Sequence, residues 1–109
     1  MNLFIQASAE EDILRQVVWY AEQGLPHIAR RFHTAVMDSL DALLAMPESG
    51  PPRPIGNTRL AGLRAWPVKG FGEFLVYYLV HPGRLIVVRV LHSKRDVGRL
   101  LEGEDLADQ

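Results

Sequence analysis

Cysteine is absent from these 109 residues, so no disulfide framework can staple the chain and zinc sites built on thiolates are excluded. Long apolar runs are missing as well. No stretch approaches the roughly 18 consecutive apolar residues that cross a bilayer, and Met1-Asn-Leu-Phe-Ile-Gln-Ala-Ser8 has neither a basic leader region nor an apolar run beyond three residues. A soluble, cytoplasmic protein with no membrane partner is expected. There is no Gly-x-Gly-x-x-Gly and no Walker lysine, so nothing cradles a nucleotide, and Lys69-Gly-Phe-Gly72 reads as a turn. The histidines are His27, His33, His81 and His92. Only the first two share a helical pattern, on faces about 120° apart, so neither a metal nor a cofactor is expected. Ser93 has no base at a spacing that would activate it as a nucleophile.

What the chain does have is enough apolar residue for one core, 48% of the total, at a length that suits one domain. Its net charge of -1 hides a strong asymmetry. Residues 1–49 carry three basic and seven acidic side chains, residues 50–101 carry nine and two, and residues 102–109 carry four acids. A domain over 1–101 is expected, followed by a flexible acidic tail over 102–109. The basic middle suits an acidic or polyanionic partner, or else is neutralised by the acidic helices within the fold.

Hydrophobic spacing sets out the elements. Leu3-Phe-Ile5 is short enough for a first strand. Ser8-x-x-Glu11 reads as a capping box that opens a helix, with Ile13, Leu14, Val17, Val18, Tyr20 and Ala21 forming its apolar face. Gly24 ends that helix. Pro26, suited to a first helical turn, begins another through Ala29, Phe32, Val36, Leu40, Leu43 and Leu44, and Met46-Pro47 stops it. The Gly-Leu-Pro link makes the two an antiparallel hairpin. Residues 47–58 hold four prolines and two glycines, and read as a stiff loop.

The rest is a meander. Trp66-Pro-Val68 suits an edge, because Pro67 has no N–H for a ladder. Phe74, Val76, Tyr78 and Val80 alternate with Leu75, Tyr77 and Leu79, so that strand is apolar on both faces and central. His81-Pro82-Gly83-Arg84 is a type II turn. In the following strand Leu85, Val87, Arg89 and Leu91 are expected on one face and Ile86, Val88, Val90 and His92 on the other. Asp96 caps a short closing helix through Leu100 and Leu101. The fold class is α+β, with the helical hairpin packed on an antiparallel sheet.

The order of strand, helix pair, Leu60-x-Gly-Leu-Arg-x-Trp-Pro-Val68, aromatic strand, Pro-Gly hairpin and Arg89-Val-Leu-His-x-x-Arg-Asp96 resembles the ParE branch of the RelE/ParE toxin superfamily over residues 3–101. The resemblance implies a β-α-α-β-β-β toxin of a type II toxin–antitoxin system. Its cognate antitoxin would be small and acidic and would fold on binding. RelE-like members cut mRNA on the ribosome, whereas ParE-like members poison DNA gyrase.

Cutting RNA needs a base, an acid and cations on the phosphate. Arg95 falls where RelE-like nucleases keep a phosphate-binding arginine, and His92 belongs to the right pKa class for a base, so these two are the catalytic candidates. The central-strand arginine of those nucleases is replaced by Glu73 or Phe74, and their C-terminal tyrosine by Leu101. The resemblance therefore favours gyrase inhibition and growth arrest, with Lys94, Arg95, Arg99 and Leu101 as target contacts. Arg64, Trp66, Arg84 and Arg89 are the expected antitoxin contacts, Arg89 being open to burial against an acid instead. The alternatives are a ribosome-dependent mRNA endoribonuclease and a non-toxic binding module of the same fold.

Overall fold

The computed structural model describes residues 1–106. In chain order it contains β1 (Asn2–Ile5), α1 (Ala7–Glu22), α2 (Pro26–Ala45), a 3-10 turn (Thr58–Leu60), β2 (Arg64–Val68), β3 (Phe71–His81), β4 (Arg84–His92) and α3 (Val97–Glu102). The four strands form one sheet in the order β1-β4-β3-β2, so the two strands that are apolar on both faces lie in the middle, as their composition requires. The expected hairpin turn is present, with Gly83 at φ 72°.

The sheet departs from the expected pattern in one pairing. β1 runs parallel to β4, from Asn2 opposite Arg84 to Ile5 opposite Val87, while β2–β3 and β3–β4 are antiparallel. The helical hairpin accounts for this. It carries the chain out past the sheet and back to the end where β1 began, and three strands that then run out, back and out leave the last aligned with the first.

Each face of the sheet has its own core. One holds Ala9 and Ile13 of α1, and Phe32, Val36, Leu40 and Leu43 of α2, against Val76, Tyr78, Leu85, Val87 and Val90. The other holds Tyr77, Leu79, Ile86, Val88 and Leu91 under Leu60, Leu63, Val97 and Leu101, with Leu106 packed at its edge. The second face, apolar in sequence, is thus covered by the loop after α2, by α3 and by the C-terminal segment.

Phe74, Val76, Tyr78 and Val80 do share a face. In β4 the expected alternation fails halfway. Tyr77 pairs with Arg89 and Tyr78 with Val87, so Val88 is an extra residue in a β-bulge and the phase slips by one. Beyond it Val90 faces the helices and Leu91 faces away, the reverse of strict alternation.

α1 begins at Ala7 with Gln6 as N-cap and no side-chain cap. Ser8 is inside the helix, its hydroxyl 3.3 Å from the Val88 carbonyl and 3.2 Å from a Glu104 carboxylate oxygen. Bonds to the sheet and the C-terminal segment have displaced the local capping box. Leu14 and Val18, expected in the core, are 62% and 44% exposed, and Trp19 is 50% exposed. One stripe of α1 is enough to cover β4, and these three lie outside it.

The proline-rich loop is fixed by Tyr78. Its buried hydroxyl donates to the Pro47 carbonyl at 2.7 Å and accepts from the Gly50 N–H at 2.9 Å. Burial raises its pKa, which keeps it protonated as a donor. A Cβ on Gly50 would sit 2.6 Å from that oxygen and 2.7 Å from the Ala65 carbonyl. Gly50→Ala is therefore expected to cost about 1–3 kcal/mol by overpacking, read as a lower urea midpoint with an unchanged slope. An unchanged midpoint would mean that the loop is not pinned here.

Candidate functional site

Arg89 follows the bulge in β4, opposite Tyr77, and its side chain reaches Asp12 of α1. Its Nε lies 2.7 Å from Asp12 Oδ2 and its Nη2 2.8 Å from Oδ1, a two-pronged pair, while Nη1 reaches Glu104 Oε1 at 3.0 Å. Asp12 also accepts the Val90 N–H at 3.0 Å. The side chains of Arg89 and Asp12 are 13% and 2% exposed. Hydrogen bonds donated to Asp12 hold the guanidinium pKa above its usual value against the opposing effect of burial. Arg89 is thus engaged inside the protein, which is the alternative reading of it rather than an open antitoxin contact.

Past the bulge, β4 delivers His92 beside Phe74, ring edge to face at 5.0 Å. Its Nε2 is 3.0 Å from Glu73 Oε2, and its Nδ1 accepts the Lys94 N–H at 3.0 Å. That pattern assigns the ring proton to Nε2 and leaves no unoccupied lone pair to take a proton from a substrate. His92 and Arg95 do line one cavity, with Asp12, Arg15 and Gln16, but it measures only about 70 Å³. Ligand pockets run to about 300 Å³ or more, and Asp12, the acid at hand, is already bonded to Arg89.

The closing segment is built to present cations. Asp96 caps α3 by accepting the Arg99 N–H at 3.3 Å, and Leu101, fully buried, anchors α3 in the second core. Lys94, Arg95 and Arg99 stay exposed. Leu101 is the exception among the expected target contacts, because its side chain is spent on folding.

The expected antitoxin contacts are dispersed. Arg64 donates to the Glu48 and Gly50 carbonyls at 3.2 and 2.7 Å and ties the loop to the edge strand β2. Trp66, on the same strand, is half-buried against the helix-facing core. Arg84 lies at the far end of β4, opposite His81 and Asn2.

The expected acidic tail is in contact with the domain as far as it is described. Glu104 holds Arg89, Asn57 Nδ2 donates to the carbonyls of Leu101, Glu102 and Glu104, and Arg59 pairs with Asp105. Residues 107–109 lie outside the described residues.

A surface that the periodicity did not reveal is the groove on α1 lined by Leu14, Arg15, Val18, Trp19 and Glu22. The signal was there in part, because α1 is apolar over more of its circumference than one core contact needs. Among the described residues no group of three or more His, Asp or Glu is placed to hold a metal, and no helix is long and apolar enough to cross a membrane.

Fold and surface together define a small α+β domain with a helical hairpin on one face of its sheet, an exposed apolar helix stripe and a cationic closing segment. The family model described as the ParE toxin of the type II toxin–antitoxin system parDE matches residues 3–97, and the chain belongs to that family. The chain is also similar to a solved structure titled "Chromosomal ParDE TA system from P. aeruginosa", at 16% identity and a TM-score of 0.68, over 84% of this chain and 95% of that one. At that identity the likeness bears on the fold alone. A search of curated proteins found no match.

Proposed function

We propose that this chain is a growth-arresting toxin that acts in the cytoplasm by binding DNA gyrase through Lys94, Arg95 and Arg99, and that a cognate antitoxin silences it. The observation that carries this reading is His92. It is the imidazole at the start of the closing segment, and both its ring nitrogens are engaged, by Glu73 and by the Lys94 N–H. The cations beyond it are exposed, Lys94 and Arg95 in the turn before α3 and Arg99 on α3, which Leu101 anchors, and this suits docking rather than bond-making.

The antitoxin is read as an acidic segment that folds on binding. A helix of it lies along Leu14, Val18 and Trp19, because apolar side chains exposed at helical spacing suit a partner helix. Its acids are placed near Arg64, Arg84 and the neighbouring basic surface, and Trp66 is a further contact on β2, whose outer edge is already lined at Leu63 and Ala65 by residues 51–53.

The test is induction of the protein alone in bacteria, with gyrase-trapped DNA breaks and mRNA 5′ ends mapped in parallel. Trapped breaks that disappear in the Lys94→Glu, Arg95→Glu, Arg99→Glu variant are the expected result. Cleaved message would favour the RNA-cutting alternative, for which the shared cavity of His92 and Arg95 is the supporting observation. Normal growth would mean a binding module without toxicity.

A further inference from the structure

A second basic surface lies away from the closing helix. Between the first half of α2 and the β2–β3 turn is an open cleft of about 570 Å³. His27, Arg30, Arg31, Thr34 and Asp38 line it from α2, at the three- and four-residue steps that place side chains in one row of a helix. Lys69 and Phe71 line it from the other side. Arg30, Arg31 and Lys69 are exposed, and among the described residues no carboxylate pairs with any of them.

α2 has no acid in its first turn to neutralise Arg30 and Arg31, which follow in its second. The only carboxylate lining the cleft is Asp38, at its far end. The cleft thus gathers three exposed cations that no carboxylate pairs with among the described residues.

We propose that this cleft is a docking site for the phosphodiester backbone of duplex DNA, a contact separate from the gyrase reading and not dependent on it. Three side chains with fixed positive or near-permanent charge, two of them on one rigid helix, meet a regularly spaced line of phosphates. Cations set on phosphates fix position and carry no sequence information, so the contact is independent of sequence. Single strands are disfavoured because they need an aromatic face to stack on. Phe71 is packed against Phe32 and Tyr20, with centroids at 5.2 and 6.2 Å.

The surface also has somewhere to continue. Ser93 N donates to Glu73 O, so Lys94 and Arg95 follow at the same end of the sheet as the Lys69–Gly70 turn. A duplex lying across the cleft would run toward the closing segment.

The test is fluorescence anisotropy of the full chain with a labelled 20-base-pair duplex of arbitrary sequence. With three phosphates neutralised, affinity should fall about 40-fold between 50 and 200 mM salt, and only about 3-fold for Arg30→Gln/Arg31→Gln, which should also bind far more weakly at low salt. Arg53→Gln, an exposed charge removed elsewhere, should cost little. Circular dichroism of each variant checks that it is folded. No binding by the folded wild type at 50 mM salt would overturn the proposal, as would an equal loss in Arg53→Gln. Tighter binding of single-stranded RNA, or displacement of the duplex by a glutamate-rich peptide of matched charge, would overturn it in favour of another partner.

Discussion

Asp12→Ala is expected to lower the melting temperature by on the order of 20 °C. The substitution leaves Arg89 charged and mostly buried with only Glu104 for company, and leaves the Val90 N–H without an acceptor. Removing one partner of a buried ion pair costs about 3–5 kcal/mol, and in a domain of this size each kcal/mol corresponds to about 4–8 °C. The double change Asp12→Leu with Arg89→Met should recover much of the loss, since neither buried charge then remains and Glu104 can turn to water. A melting temperature within a few degrees of wild type for Asp12→Ala would show that the pair is solvated and does not hold α1 to β4. Because α1 carries the apolar stripe proposed above as the antitoxin contact, the same variant should also weaken antitoxin binding.

The second large effect separates the two cores. Val76 and Val88 are both fully buried, but on opposite faces of the sheet. An aspartate at either site is expected to prevent folding, because an unpaired carboxylate there costs several kcal/mol or more out of a total stability of about 5–15 kcal/mol. Collapse of amide dispersion in a proton–nitrogen spectrum is the readout. Leu14→Asp makes the same chemical change on the exposed stripe and should leave the spectrum dispersed while abolishing antitoxin binding. If Val88→Asp stays folded while Val76→Asp does not, the face covered by α3 and the loop is not a core.

Much of this fold was legible from local chemistry. Pro82-Gly83, Gly24, Pro26 and Asp96 each mark a boundary because a backbone angle or an unpaired N–H demands that residue type, whatever the surroundings. Three features were not legible. The bulge at Val88 inserts one residue without any glycine or polar marker, so the faces of Val90 and Leu91 read in reverse. The Ser8 capping box lost to bonds with Val88 and Glu104, groups some eighty and ninety-six positions away in the chain. The acids after residue 101 read as a mobile tail because the sequence does not show that Arg89 and Asn57 lie beneath them.

The candidate site was legible as a set of charges and not as geometry. The exposed closing segment with Lys94, Arg95 and Arg99 follows from the Asp96 cap. The commitment of His92 to Glu73 depends on a cross-strand register that composition does not fix.

Parallel pairing of β1 with β4 sets an order on biosynthesis. β1 can be seated only after Arg84–Val87, its partners, have emerged from the ribosome, and Asp12 must wait for Arg89. Domains of this kind close late, and at about 5–20 residues per second the nascent chain spends seconds with its N-terminal helix uncovered. During that interval α1 offers both its apolar stripes to whatever is nearby, so a protective partner already present in the cell can engage the chain before it has a finished fold.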